Sequence, residues 1–148
     1  MSSHRLRLGR RSIIGQSYVL TTTTHQRRRI LSSSAAAACV IDQFRYIEQR
    51  GLVQSFAWVV MPDHVHWMFQ LQASDLADIA RRLKSSSALA LNQLADCRST
   101  VWQSGYFDHA LRAEESLVRQ ALYILGNPIR AGLARQIGEY PHAWSVWT

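Results

Sequence analysis

Two short stretches of the chain carry side chains whose types and spacing can do chemistry. The first is His64-Val65-His66. On a strand, side chains alternate between faces, so His64 and His66 point the same way, about 7 Å apart by strand rise. Neutral imidazole is a common metal ligand, and two on one face can meet a single ion. The alternative is a pair of histidines on a partly solvated face. The apolar flanks, Phe56 to Met61 and Trp67 to Leu71, imply a buried central hairpin, where unpaired polar groups are costly. The second stretch is Tyr123-Ile124-Leu125-Gly126-Asn127. On a helix, positions i and i+4 share a face, so Tyr123 and Asn127 project together if the helix persists to Pro128. A tyrosine hydroxyl can act as a nucleophile, and an asparagine carbonyl oxygen can be a third metal ligand. The alternative is a packed tyrosine followed by an Asn-Pro helix stop.

The elements that must position these groups are readable from periodicity. Tyr18 to Thr24 is rich in β-branched residues and predicts a first strand. Ser32 to Ser34 offer capping oxygens for a helix that runs to about Arg50, with Gly51 just past its end. Ser55 to Met61 and His64 to Leu71 predict two strands joined by the turn Met61-Pro62-Asp63. Ser74 is the expected cap of a helix to about Leu94. Val101 to Ala110 predicts a short strand or extended segment. Glu114 to Gly126 predicts a third helix, with Glu114 and Glu115 as first-turn residues that suit its dipole. The order is strand, helix, strand, strand, helix, strand, helix. It predicts an α+β, ferredoxin-like βαββαβ sandwich with a central antiparallel sheet and an extra C-terminal helix. No glycine-rich phosphate loop is present, so no nucleotide cofactor is expected.

The chain has 148 residues and a mass of 16.9 kDa, which predicts one domain over residues 1–148. Residues 1–15 read as a basic arm and residues 133–148 as a packed tail. No apolar run is long enough to span a membrane. Cys39 and Cys97 form no CxxC, which excludes a disulfide scaffold and a thiolate zinc site. The segment Met1 to Arg11 lacks the apolar stretch of a secretory signal, so the protein is read as cytoplasmic. The formal charge is +7, and arginine supplies 16 of the 17 basic residues. Arginine's planar fork suits phosphate, which makes nucleic acid a candidate partner.

Taken together, Trp58 to His66, Val101 to His109 and Tyr123 to Gly132 resemble the three signature regions of REP-associated tyrosine transposases. These are relatives of the single-tyrosine insertion-sequence transposases that carry two histidines around a bulky apolar residue. The resemblance runs from about Tyr18 to Trp147 and includes Tyr140 to Ser145. It implies that His64, His66 and Asn127 hold a divalent metal ion, Mg²⁺ or Mn²⁺, and that Tyr123 is the nucleophile on a catalytic C-terminal helix. The implied substrate is single-stranded DNA with an adjacent hairpin, cut and rejoined through a 5′-phosphotyrosine. The protein would work as a monomer or a homodimer. A DNA-binding protein of the same fold that has lost cleavage is the alternative; a metal hydrolase of small phosphoesters fits the basic surface less well.

Arg27, Arg28 and Arg29, with Arg81, Arg82 and Lys84, are the candidate phosphate contacts, together with Arg5, Arg7, Arg10 and Arg11 of the arm. Asp63 can cap the turn, orient a histidine or touch the metal. His109 is read as a structural hydrogen-bonding group. Trp102 and Tyr106 can stack on bases or pack in the core.

Overall fold

A computed structural model describes residues 12–112 and 114–148; Arg5, Arg7, Arg10 and Arg11 lie outside the described residues. Strand β1 is Ser17–Thr23, and a single 3-10 turn at His25–Arg27 follows it. Helix α1 spans Ser34–Gln49. Its cap is Ser33, whose hydroxyl accepts the Ala36 N–H at 3.1 Å. Gly51, with φ of +77°, turns the chain out of the helix. Strands β2, Val53–Val60, and β3, His64–Leu71, form the expected hairpin. Helix α2 is Leu76–Ala95. Its cap is Asp75 and not Ser74: the Asp75 carboxylate accepts the Asp78 N–H at 2.8 Å. Ser74 sits one residue earlier at φ of +70° and donates its hydroxyl to Asp78.

Strand β4, Phe107–Leu111, is shorter than the extended segment that precedes it suggests. Before it, Trp102 makes only an isolated bridge to Thr24. Trp102 and Tyr106 are both buried, and the Trp102 indole N–H donates to Ser87 Oγ at 3.0 Å. Core packing therefore accounts for both aromatics. Helix α3, Glu114–Leu125, and the one-turn helix α4, Asn127–Arg130, follow. The tail is more regular than its sequence suggests. Ala143–Ser145 forms strand β5, paired antiparallel with β2. The Trp144 ring lies 4.5 Å from that of Trp58, which fixes this short strand in place.

The sheet order is β4-β1-β3-β2-β5, and every neighbouring pair is antiparallel. The first four positions are the ferredoxin-like arrangement; the fifth strand extends it at the β2 edge. Alternation along the strands divides the interior in two. Tyr18, Leu20, Val65, Trp67 and Phe69 join the buried residues of α1 and α2 in the larger core. Val19, Met68, Ala57 and Val59 face the other way and meet Ala121 and Ile124 of α3 in a smaller one. Helices thus cover both faces: α1 and α2 on one, α3 on the other. His64 and His66 share strand parity with Met68, so they stand on the α3 face. Among the described residues, no helix is long and apolar enough to cross a membrane.

Candidate active site

The histidine pair is held by cross-strand register. β3 lies between β1 and β2, with Thr21 and Val59 directly opposite His66 and Thr23 opposite His64. Thr21 Oγ1 and His66 Nδ1 share a hydrogen bond of 2.8 Å. His64 Nδ1 donates to Asp63 Oδ1 at 2.7 Å. An ionised carboxylate only accepts, so the His64 proton resides on Nδ1 and Nε2 is left with a free lone pair. The two rings meet edge to face, 4.9 Å between centroids.

Asp63 also reaches Arg27, with Oδ2 at 3.2 Å from the guanidinium. Partial burial pushes the Asp63 carboxyl up, but the His64 hydrogen bond and the nearby charges of His64 and Arg27 outweigh it and hold it below the usual carboxylate value. Of its three possible roles, orienting a histidine is the one its contacts fulfil. Burial, then the charges of His64 and Arg130, depress the His66 imidazole to a pKa of about 4. At neutral pH that ring is uncharged, which is the form a metal ion takes.

The tyrosine arrives from the other side. Ile124 and Ala121 bury one face of α3, and Tyr123 emerges beside them with 60% of its surface exposed. Pro128 has no N–H to offer the Ile124 carbonyl, and proline at this point ends the regular ladder. The Asn127 side chain replaces it, its Nδ2 donating to Ile124 O at 3.1 Å. That bond fixes the amide's orientation and turns Oδ1 away from the helix end. Gly126 has ordinary right-handed dihedrals, φ −81° and ψ −8°. The backbone therefore bends only slightly, and Tyr123 and Asn127 stay on one side.

His66, Tyr123 and Asn127 line one open cavity of about 170 Å³, together with Thr21, His109 and Gln120. His64 adjoins it through its contact with His66. The residues fit a divalent cation by donor chemistry: two imidazoles with their Nδ1 atoms engaged, and an amide oxygen turned from its own helix. Among the described residues, no trio of histidine, cysteine or carboxylate side chains gathers as a metal site.

The candidate DNA contacts divide into two groups. Arg27 and Arg29 are exposed; Arg27 reaches Asp63 beside His64, and Arg29 lies near Tyr140, whose hydroxyl donates to the Val60 carbonyl. Arg28 is partly buried and donates to the carbonyls of His25 and Thr100. Arg81 and Arg82 lie on α2, in the layer behind the sheet, and both pair with Asp78. Lys84 donates to the carbonyls of Gln103 and Gly105, each at 2.8 Å, and so ties α2 to the loop before β4. The places of Thr21 and Gln120 on the cavity wall have no signature in the sequence.

Known proteins resemble this chain in sequence and in fold. A REP-associated tyrosine transposase of Escherichia coli (strain K12) is 28% identical over 87 residues, 57% of this chain and 50% of that protein. A relative from Haemophilus influenzae, under a provisional form of the same name, is 26% identical over 102 residues, 61% of this chain and 57% of its own length. The chain thus matches little more than half the length of these curated relatives. A solved structure of a REP-associated tyrosine transposase bound to a REP hairpin superimposes with a TM-score of 0.70 at 22% identity, covering 90% of this chain and 79% of that one. It establishes the common fold. The model of the family described as IS200-like transposases matches residues 12–124, which takes in both histidines and the tyrosine. With that span of sequence, the chain belongs to the IS200-like transposases.

Proposed function

We propose that this protein cuts and rejoins single-stranded DNA beside a hairpin, using Tyr123 as nucleophile and a divalent cation, Mg²⁺ or Mn²⁺, held by His64, His66 and Asn127. One observation carries the reading: residues from β3, α3 and α4 converge on a single cavity within one chain. The hairpin substrate is suggested by the bound state of the solved relative. Because one copy supplies all four side chains, a monomer suffices.

When bound, the cation would draw charge from a non-bridging oxygen of the scissile phosphate and fix that phosphate for in-line attack. Two imidazoles favour Mn²⁺ over Mg²⁺ by ligand preference. Asp63 and Thr21 keep both rings turned so that Nε2 faces outward. Tyr123, exposed at the cavity wall, attacks phosphorus through its hydroxyl oxygen and releases its proton. The bond from phosphorus to the 3′-oxygen breaks, and that oxygen takes up a proton to leave as a hydroxyl. The product is a 5′-phosphotyrosine. One phosphoester replaces another, so the reverse attack by a 3′-hydroxyl rejoins DNA without ATP. Arg27 and Arg29 are the phosphate contacts on the side of the site.

The test is a labelled hairpin oligonucleotide with single-stranded flanks, incubated with Mn²⁺ or Mg²⁺ and resolved under denaturing conditions. A covalent protein–DNA band is expected, and it is expected to vanish in Tyr123→Phe. DNA binding with no adduct for any flank length would leave a binding module in place of the enzyme.

A further inference from the structure

Arg130 folds back from α4 onto the end of α3. Its guanidinium carbon stands 4.0 Å from the centroid of the Tyr123 ring, well within cation–π range. One of its nitrogens donates to the Tyr123 carbonyl at 2.6 Å. Beneath the guanidinium lies Gly126, which is buried. A Cβ built there would come within 2.8 Å of the arginine's other terminal nitrogen, while its remaining neighbours lie at ordinary distances of 3.4 Å and 3.5 Å. The dihedrals of Gly126 suit any residue. Glycine is a poorer helix former than alanine, so what the glycine provides here is room for the guanidinium.

We propose that Arg130 is a positioning residue for the nucleophile: Gly126 leaves space for its guanidinium, which covers the Tyr123 ring and holds the phenol over the cavity that contains His66 and Asn127. An aromatic side chain with 60% of its surface in solvent has few packing contacts to select one rotamer. The stacked cation supplies that selection. It is itself anchored to the tyrosine's own backbone, so ring and clamp move as one unit.

The inference rests on Tyr123 being the nucleophile, and its test has two arms that separate the two claims. In the first arm, tyrosine is labelled with ¹³C at the ring ε positions, and the Tyr123 resonance is assigned by its loss in Tyr123→Phe. Arg130→Met and Gly126→Ala are expected to shift or broaden this resonance and leave the other tyrosines unmoved. Gly126→Ala is the sharper variant, since it keeps the arginine and is expected to hold or raise the melting temperature. In the second arm, single-turnover formation of the adduct is followed against DNA concentration. Both variants are expected to lower the maximal rate about 10- to 100-fold, the scale of a misplaced reacting group, with little change in half-saturating DNA. Arg130→Lys should recover part of the rate, because a cation above the ring remains. An unmoved Tyr123 resonance in both variants overturns the proposal, as does a moved resonance with an unchanged maximal rate. If the wild-type protein forms no adduct at all, the nuclease assignment falls, and the resonance arm alone decides whether Arg130 orders the phenol.

Discussion

At the residue scale, the chemistry of the site depends on which ring nitrogen of each histidine is free. Asp63 decides this for His64, and Thr21 occupies Nδ1 of His66 and orients its ring. Asp63→Ala is therefore expected to weaken Mn²⁺ binding about 10- to 100-fold, the usual effect of losing a carboxylate behind a metal-bound histidine. Titration calorimetry of the DNA-free protein measures it, and an unchanged affinity would remove Asp63 from the site. Thr21→Val should give a smaller loss, since a hydroxyl carries no charge. The spacings of the histidine pair and of Tyr123 with Asn127 match the strand and helix periods, but periodicity leaves packed or solvated alternatives open, and their roles come from the resemblance to the transposase family. The partners were not legible in the sequence. Asp63 neighbours His64 in sequence, but its place at the turn favours a turn-capping role on sequence grounds, whereas its two oxygens are taken by His64 and Arg27. Thr21 lies 45 residues from His66, and nothing in a single chain of letters states which residue a strand register will set opposite.

At the scale of the elements, hydrophobic period located the helices and strands, and local polar chemistry decided their ends. Ser74 looked like the cap of α2, yet Asp75 fills that role, and Asp78 then gathers Ser74, Arg81 and Arg82 around itself. Hydrogen bonds from Arg82, Ser74 and Arg81, with the Arg82 charge, hold the Asp78 carboxyl at a pKa of about 2, against an ordinary 3.8. A folded-state value below the unfolded one contributes stability above the ordinary value and loses it as the pH falls toward the lower one. Wild-type protein should thus lose stability between about pH 4 and pH 2 through this group, and Asp78→Asn should flatten that part of the curve. Urea melts across the acid range would reveal it; identical slopes for both proteins would show that the cluster contributes nothing. Strand β5 escaped the sequence reading for a different reason. Three residues carry no measurable alternation, and Trp144 finds its place only against Trp58, an aromatic 86 positions earlier.

At the scale of the molecule, the basic charge is not spread evenly in use. Arg81 and Arg82 are paired with Asp78 behind the sheet, Arg27 is paired with Asp63 beside His64, and Arg29 lies near Tyr140, whose hydroxyl donates to the Val60 carbonyl at the same end of the hairpin. Replacing Arg29 with alanine is expected to weaken hairpin binding and to reduce the slope of log affinity against log salt by about one contact, while Arg81→Ala should leave that slope unchanged. Fluorescence anisotropy at several salt concentrations discriminates the two, and equal slopes would move the DNA path to the α2 side. The sheet that separates these regions is sealed unequally. Residues of α1 and α2 share a broad apolar interior with three strands, but among the described residues α3 joins its smaller core only through Ala121, Ile124 and the partly buried Leu117. Amide protons in α3 should consequently exchange with deuterium sooner than those of α1, through partial opening that leaves the hairpin of β2 and β3 intact. The histidines are thereby built into the last part of the molecule to come apart, while the phenol rides on a foldon that detaches early.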